Sequence, residues 1–295
     1  PIKPRKTLSV VLAFAASLVF GVLLAFLKDA LDNSLKTPAD VEERLHVPML
    51  GALPLVAGNK KLAKPLTLML DNNTSSFSES IRTIRTGLVL SGLDKPHKIT
   101  VVTSSVPSEG KSTLSINLAA AMGQMESTLL IDADMRRPTL AKTCELPPNT
   151  PGLSNYIAGA AELSDCVHHY EAAGVDVLPA GVSPSNPLEL ISSARFVKVL
   201  EELKTRYDRI IIDSAPTQAV SDAFVLASYA DALIYVIKAD ATPYTLAKHG
   251  IQRLQNSNAP VTGVVLNQFD VAKAPKYGGD YYYGGYYDYY GYSSD

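Results

Sequence analysis

Residues 99–114, ITVVTSSVPSEGKSTL, constrain the fold more than any other stretch of the chain. Ile99, Thr100, Val101, Val102 and Thr103 form a β-branched run that predicts a buried strand. Ser and Pro in the next residues predict a loop. Gly110, Lys111, Ser112 and Thr113 then open a helix that ends near Gln124, with Leu114, Leu118 and Met122 on one face. Strand, loop, GKST and helix form the context in which a loop cradles phosphate. Backbone N–H groups of Ser108, Glu109 and Gly110 and the helix N-terminus face the anion. Lys111 reaches the outer phosphates, and the Ser112 hydroxyl ligates Mg²⁺. The usual pattern begins with Gly, and this chain has Ser105 there.

Two acidic motifs follow. Thr128 to Pro138, TLLIDADMRRP, predicts a strand with Asp132 and Asp134 at its C-terminal end. Arg209 to Pro216, RIIIDSAP, predicts another that ends at Asp213. In an open parallel sheet that edge is where ligands bind. Further apolar runs at residues 175–179, 232–238 and 261–267 bring the count to at least six strands with helical segments between them. The fold class is therefore α/β, a P-loop NTPase-like, mostly parallel sheet with helices on both faces.

The flanks differ from this core. Leu8 to Leu27 is 20 residues without a charge, long enough as a helix to span a bilayer core of about 30 Å. Lys3, Arg5 and Lys6 before it favour the cytoplasm by the positive-inside rule. A site for ATP puts the opposite, C-terminal side in the cytoplasm, and this argument outweighs the local charges. The chain opens on Pro1 rather than Met and reads as a piece of a longer protein. The expected organisation is a periplasmic stub and transmembrane helix over 1–27, a cytoplasmic juxtamembrane linker over 28–77, a catalytic domain over 78–272 and a tail over 273–295. Within the linker, Thr37 and Pro38 predict a short capped helix, and the prolines of 47–54 an extended segment. The formal net charge of −2 argues against a nucleic-acid partner. Cys144 and Cys166 form no CxxC pair and suit a reducing compartment.

Two further features ask for a role. On a helix over residues 78–90, Glu79, Arg82 and Arg85 lie within about 120° of one another; such a stripe is either a solvated face or a contact. At the other end, nine of the last 19 residues are tyrosines, against six in the preceding 276. They are Tyr277, Tyr281, Tyr282, Tyr283, Tyr286, Tyr287, Tyr289, Tyr290 and Tyr292. With five glycines and no aliphatic residue the segment cannot build a core, and it reads as a disordered tail.

Taken together, SVPSEGKST, LLIDADMRRP, IIIDSAP, the Glu79/Arg82/Arg85 spacing and the tyrosine tail resemble the bacterial tyrosine kinases of capsule and exopolysaccharide export, fused to a polysaccharide co-polymerase membrane segment. PIKPRK and TPADVEERLHVPMLGALP resemble the flanks of such a segment, and GLSNYIAG and LPAGVSPSNPLEL are further family-like stretches. Related partition and septum-site ATPases carry a signature Lys where this chain has Val106. The resemblance implies an inner-membrane protein with its kinase domain in the cytoplasm. It also implies a homo-oligomeric ring joined through Glu79, Arg82 and Arg85 that opens on phosphorylation. Tail tyrosines would be the phosphoacceptors. Partners would be polysaccharide export and polymerisation proteins and a cognate tyrosine phosphatase.

The expected chemistry is transfer of the γ-phosphoryl group of ATP to a tail tyrosine. Lys111, Asp132, Asp134 and Asp213 are the expected catalytic residues. Ser112, Asp134 and Asp213 are the expected Mg²⁺ set, with Asp132 as general base. Arg136 and Arg137 are candidates to attract the acidic tail or stabilise charge, and Asn267 to contact adenine. A membrane-tethered ATPase that hydrolyses ATP to water, and a non-catalytic scaffold of the polysaccharide machinery, are the competing readings.

Overall fold

The computed structural model describes residues 6–30, 32–56 and 75–273. The linker residues 57–74 and the nine tail tyrosines lie outside them. Eight strands form one sheet: β1 (Met49–Pro54), β2 (Ile99–Ser104), β3 (Thr128–Asp132), β4 (His168–Tyr170), β5 (Val175–Leu178), β6 (Arg209–Asp213), β7 (Ala232–Lys238) and β8 (Val261–Phe269). Their spatial order is β1-β8-β7-β2-β6-β3-β5-β4, and only the β4–β5 pairing is antiparallel.

The apolar runs are continuous because both faces of this sheet are covered. Ile99 and Val101 of β2, Leu129 and Ile131 of β3, and Ile210 and Ile212 of β6 enter one core. Val102, Leu130 and Ile211, from the same strands, enter the other. That second face is closed by α3 (Ser76–Ser91) and α4 (Lys111–Gly123), which bury Ile81, Ile84, Leu88, Leu114 and Leu118. The first is closed by α2 (Pro38–Leu45), α9 (Ala194–Arg206), α10 (Asp222–Ala227) and α11 (Tyr244–Asn256). Shorter helices lie between: α5 (Leu140–Thr143), α6 (Leu153–Ala158), α7 (Leu163–Cys166) and α8 (Pro187–Ile191). Each fully buried aliphatic side chain contributes about 1.5–3 kcal/mol, so the two cores hold the sheet edge, and the loops on it, in fixed relation.

Residues 32–56 differ from the linker reading. The capped helix forms as expected, with Thr37 accepting from the Asp40 N–H and Asp40 accepting from the Thr37 N–H. Yet α2 packs on α11, and β1 adds to the sheet as a parallel edge strand on β8. The backbone of residues 33–35 also zips onto the loop after β7. Leu35 N donates to Thr242 O at 3.2 Å, Asp240 N to Leu35 O at 2.9 Å and Tyr244 N to Asn33 O at 2.8 Å. This segment is part of the α/β body because it carries its own buried residues, among them Leu35, Val41, Ala52 and Leu53.

The apolar run at the start is helical, as α1 (Lys6–Ala30). Val10, Phe14, Phe20, Leu23 and Phe26 are exposed. Among the described residues no helix is long and apolar enough to cross a membrane.

Candidate active site

The phosphate loop leaves the C-terminal end of β2, the central strand flanked by β7 and β6. Gly110 has φ +96°, a conformation that L side chains rarely adopt. A Cβ added there would meet Asn267 Nδ2 at 1.8 Å. Both facts require glycine immediately before Lys111. Ser108 is also left-handed, at φ +69°. Alternating turns of this kind aim successive N–H groups into one concavity.

Three carboxylates converge on the lysine at the head of α4. Asp213 ends β6, and Asp132 is its register partner on β3. Lys111 Nζ lies 3.0 Å from Asp134 Oδ2 and 4.0 Å from Asp213 Oδ1. Ser112 Oγ donates to Asp213 Oδ2 at 2.5 Å. Burial pulls the Lys111 ammonium down, but Asp213 and Asp134 outweigh it and hold the group above its ordinary range. Burial raises Asp213, against the opposing effects of Lys111 and Ser112. Asp132 is pushed up to about 7, first by burial and then by the charge of Asp213.

Asp132 also shapes the loop that follows it. Its Oδ2 accepts from Thr139 N at 2.9 Å and Leu140 N at 3.0 Å, and its Oδ1 accepts from Asp134 N at 3.2 Å. One lone pair on Oδ1 is left for a further proton or donor. Asp134 Oδ1 in turn accepts from Arg137 N. The two arginines separate: Arg136 is held by a bidentate contact to buried Asp222, at 3.1 and 3.3 Å, while Arg137 is exposed.

Hard oxygen donors beside a phosphate loop suit Mg²⁺, which takes one or two carboxylates plus substrate phosphates. Ser112, Asp134 and Asp213 are the side chains here that could take part in holding one. Among the described residues no group of three or more His, Cys, Asp or Glu side chains forms a self-contained metal site.

Asn267 and Glu109 are each fixed by hydrogen bonds within the protein. Asn267 is turned onto the phosphate loop, where its Nδ2 donates to Glu109 O at 2.8 Å and its Oδ1 accepts from Gln268 N. The Glu109 side chain is buried, with one oxygen on the loop amide of Val106 and the other on the β7 side. Sequence reading missed a polar layer beneath the loop. Tyr235 donates to Ser105 Oγ at 3.1 Å and shares a hydrogen bond with Thr217 at 3.0 Å. Ser105, where the usual glycine is absent, therefore has a partner. Its departure from the pattern was the one available signal.

Comparison with known proteins follows the same outline. Residues 98–268 match the AAA domain family. The whole chain aligns at 32% identity with EpsB of Ralstonia solanacearum, over 40% of that protein, so it spans about two fifths of EpsB's length. CapB of Staphylococcus aureus is 36% identical over 230 residues, 78% of this chain and 99% of CapB. Both are named as tyrosine-protein kinases. The solved kinase domain of the Escherichia coli tyrosine kinase Etk superposes with a TM-score of 0.73 at 29% identity, covering 79% of this chain and 94% of that domain.

Proposed function

Because the chain belongs to the bacterial tyrosine-protein kinase family, built on an AAA domain, we propose that it transfers the γ-phosphoryl group of ATP to tyrosines of its own tail. The convergence of Lys111, Ser112, Asp134 and Asp213 at the C-terminal edge of β2 and β6 carries this reading. Lys111 and the loop amides hold the β- and γ-phosphates. Ser112, Asp134 and Asp213 would hold Mg²⁺, which supplies neutralisation of phosphate charge when bound. Asp132 takes the phenolic proton as the bond from γ-phosphorus to ADP breaks and the bond to the tyrosine oxygen forms. A carboxyl that titrates near 7 is suited to that task. Arg137, exposed beside this edge, attracts the acidic tail.

The setting follows from the same family reading. The exposed apolar side chains of α1 support a membrane anchor at the bacterial inner membrane, with the α/β body in the cytoplasm. Chain length and export of a polysaccharide would be governed by cycles of ring assembly through the helix that carries Glu79, Arg82 and Arg85. The export and polymerisation proteins and a tyrosine phosphatase would be the partners.

Labelled ATP and phosphosite mapping test the proposal. The full chain should incorporate label into Tyr277–Tyr292, and Lys111→Met should lower incorporation about 100-fold or more with the fold intact. Release of inorganic phosphate without phosphotyrosine would favour the ATPase instead. Near-normal phosphotyrosine in a folded Lys111→Met protein would move the site elsewhere.

A further inference from the structure

A carboxylate in a loop that binds polyphosphate is electrostatically misplaced, yet Glu109 immediately precedes Gly110 and Lys111. The structure resolves the conflict by drawing the side chain away from the cradle. Glu109 Oε2 accepts from Val106 N at 2.7 Å, which closes the loop on itself. Oε1 accepts a short hydrogen bond from the Thr242 hydroxyl and a long one, 3.4 Å, from Lys238 N. Glu109 is 1% exposed and Thr242 3%. Burial lifts the carboxyl above its ordinary range, against the pull of the Thr242 hydroxyl and the Val106, Lys238 and Ser105 amides. Thr242 is itself seated by the Leu35 N–H on its carbonyl oxygen.

We propose that Thr242 is a positioning residue for the phosphate loop: by holding the Glu109 carboxylate on the β7 side, it keeps a negative charge out of the space that the β- and γ-phosphates occupy. The inference rests on the reading of this loop as an ATP site. Without the hydroxyl, Oε1 keeps only the long Lys238 contact. A buried carboxylate short of donors seeks others, and the amides of its own loop, which are groups that ATP needs, adjoin it in the chain. Thr242 would then act on nucleotide affinity rather than on the chemical step.

A charge-based mechanism has a signature that simple loosening lacks. In Thr242→Val the volume is kept and the donor is lost. ATP affinity, read by titration of a fluorescent ATP analogue into the full chain, should weaken about tenfold, with KM rising and kcat nearly unchanged. Thr242→Ser keeps the donor and should bind within about twofold of wild type. Thr242→Val/Glu109→Gln removes the displaced charge and should regain most of the lost affinity. Thermal melts establish that each variant is folded. Unaltered affinity in folded Thr242→Val overturns the proposal. So does a double variant as weak as Thr242→Val, which would make the effect one of packing. Failure of wild type itself to bind the analogue would instead overturn the ATP reading.

Discussion

Asp132 joins two tasks that a sequence cannot separate. Its carboxylate fixes the turn into α5 through three backbone N–H groups, and it faces Asp213 across the β3–β6 register. Its value near 7 lies above the roughly 3.9 of an unfolded aspartate. The folded protein therefore holds this proton more tightly, and stability from it is complete below about pH 4 and lost as pH rises through about 7. Asp213 and Glu109, also raised, act in the same direction, while Asp32, lowered to about 2, acts oppositely and only below about pH 4. In Asp132→Asn the group no longer titrates, and its amide cannot accept all three N–H donors. The variant should melt lower overall, by about 1–3 kcal/mol of stability, yet with a flatter dependence between pH 4 and 8 than wild type. Its single-turnover phosphoryl transfer should fall more than its ATP affinity. Parallel pH slopes in melts of the two proteins would refute the raised carboxyl, and equal losses of rate and affinity would make Asp132 a positioning group only.

At the scale of elements, α3 and α4 lie side by side on one face of the sheet, and Arg85 ties them together. Its Nη1 donates to Ala121 O at 2.9 Å, near the C-terminus of α4, where a cation also meets the negative end of the helix dipole. Arg85→Ala should lower the urea midpoint by the equivalent of about 1 kcal/mol; an unchanged midpoint would mean that the contact is replaced by water at no cost. The stripe read from the sequence thus divides, with Glu79 and Arg82 paired on the helix surface and Arg85 turned inward. Strands β2, β3, β5, β6, β7 and β8 were legible because apolar runs between turn signals need no partner to be recognised. β1 was not: Pro48 and Pro54 argue against helix, but an edge strand tolerates proline, and its partner β8 lies over 200 residues away. The carboxylates were legible from their places at strand ends. The orientation of Glu109 was not, because its donors on Lys238 and Thr242 come from 129 and 133 residues further on.

For the whole molecule, the remaining question is whether the tail meets its own site or a neighbour's. We predict transfer between subunits joined through α3. A 19-residue tail reaches about 60 Å when extended, enough to cross to an adjacent copy. Glu79 is exposed, and Arg82 is half-buried and paired with it on the surface of α3. Each phosphate adds about −1.5 to −2 charges; nine would add more than about ten per subunit, which would drive neighbours apart once the tails are modified. Removing all three stripe residues would also break the Arg85–Ala121 contact and confuse contact with stability. Glu79→Ala/Arg82→Ala leaves that joint in place. The double variant should sediment as a monomer at concentrations where wild type associates, should melt within about 1 kcal/mol of it, and should autophosphorylate at an initial rate that climbs steeply with protein concentration. Sedimentation velocity and a dilution series of initial rates decide the matter. Assembly like wild type would make the pair a solvated face, and a high rate independent of dilution in the monomer would mean that each tail reaches its own active site.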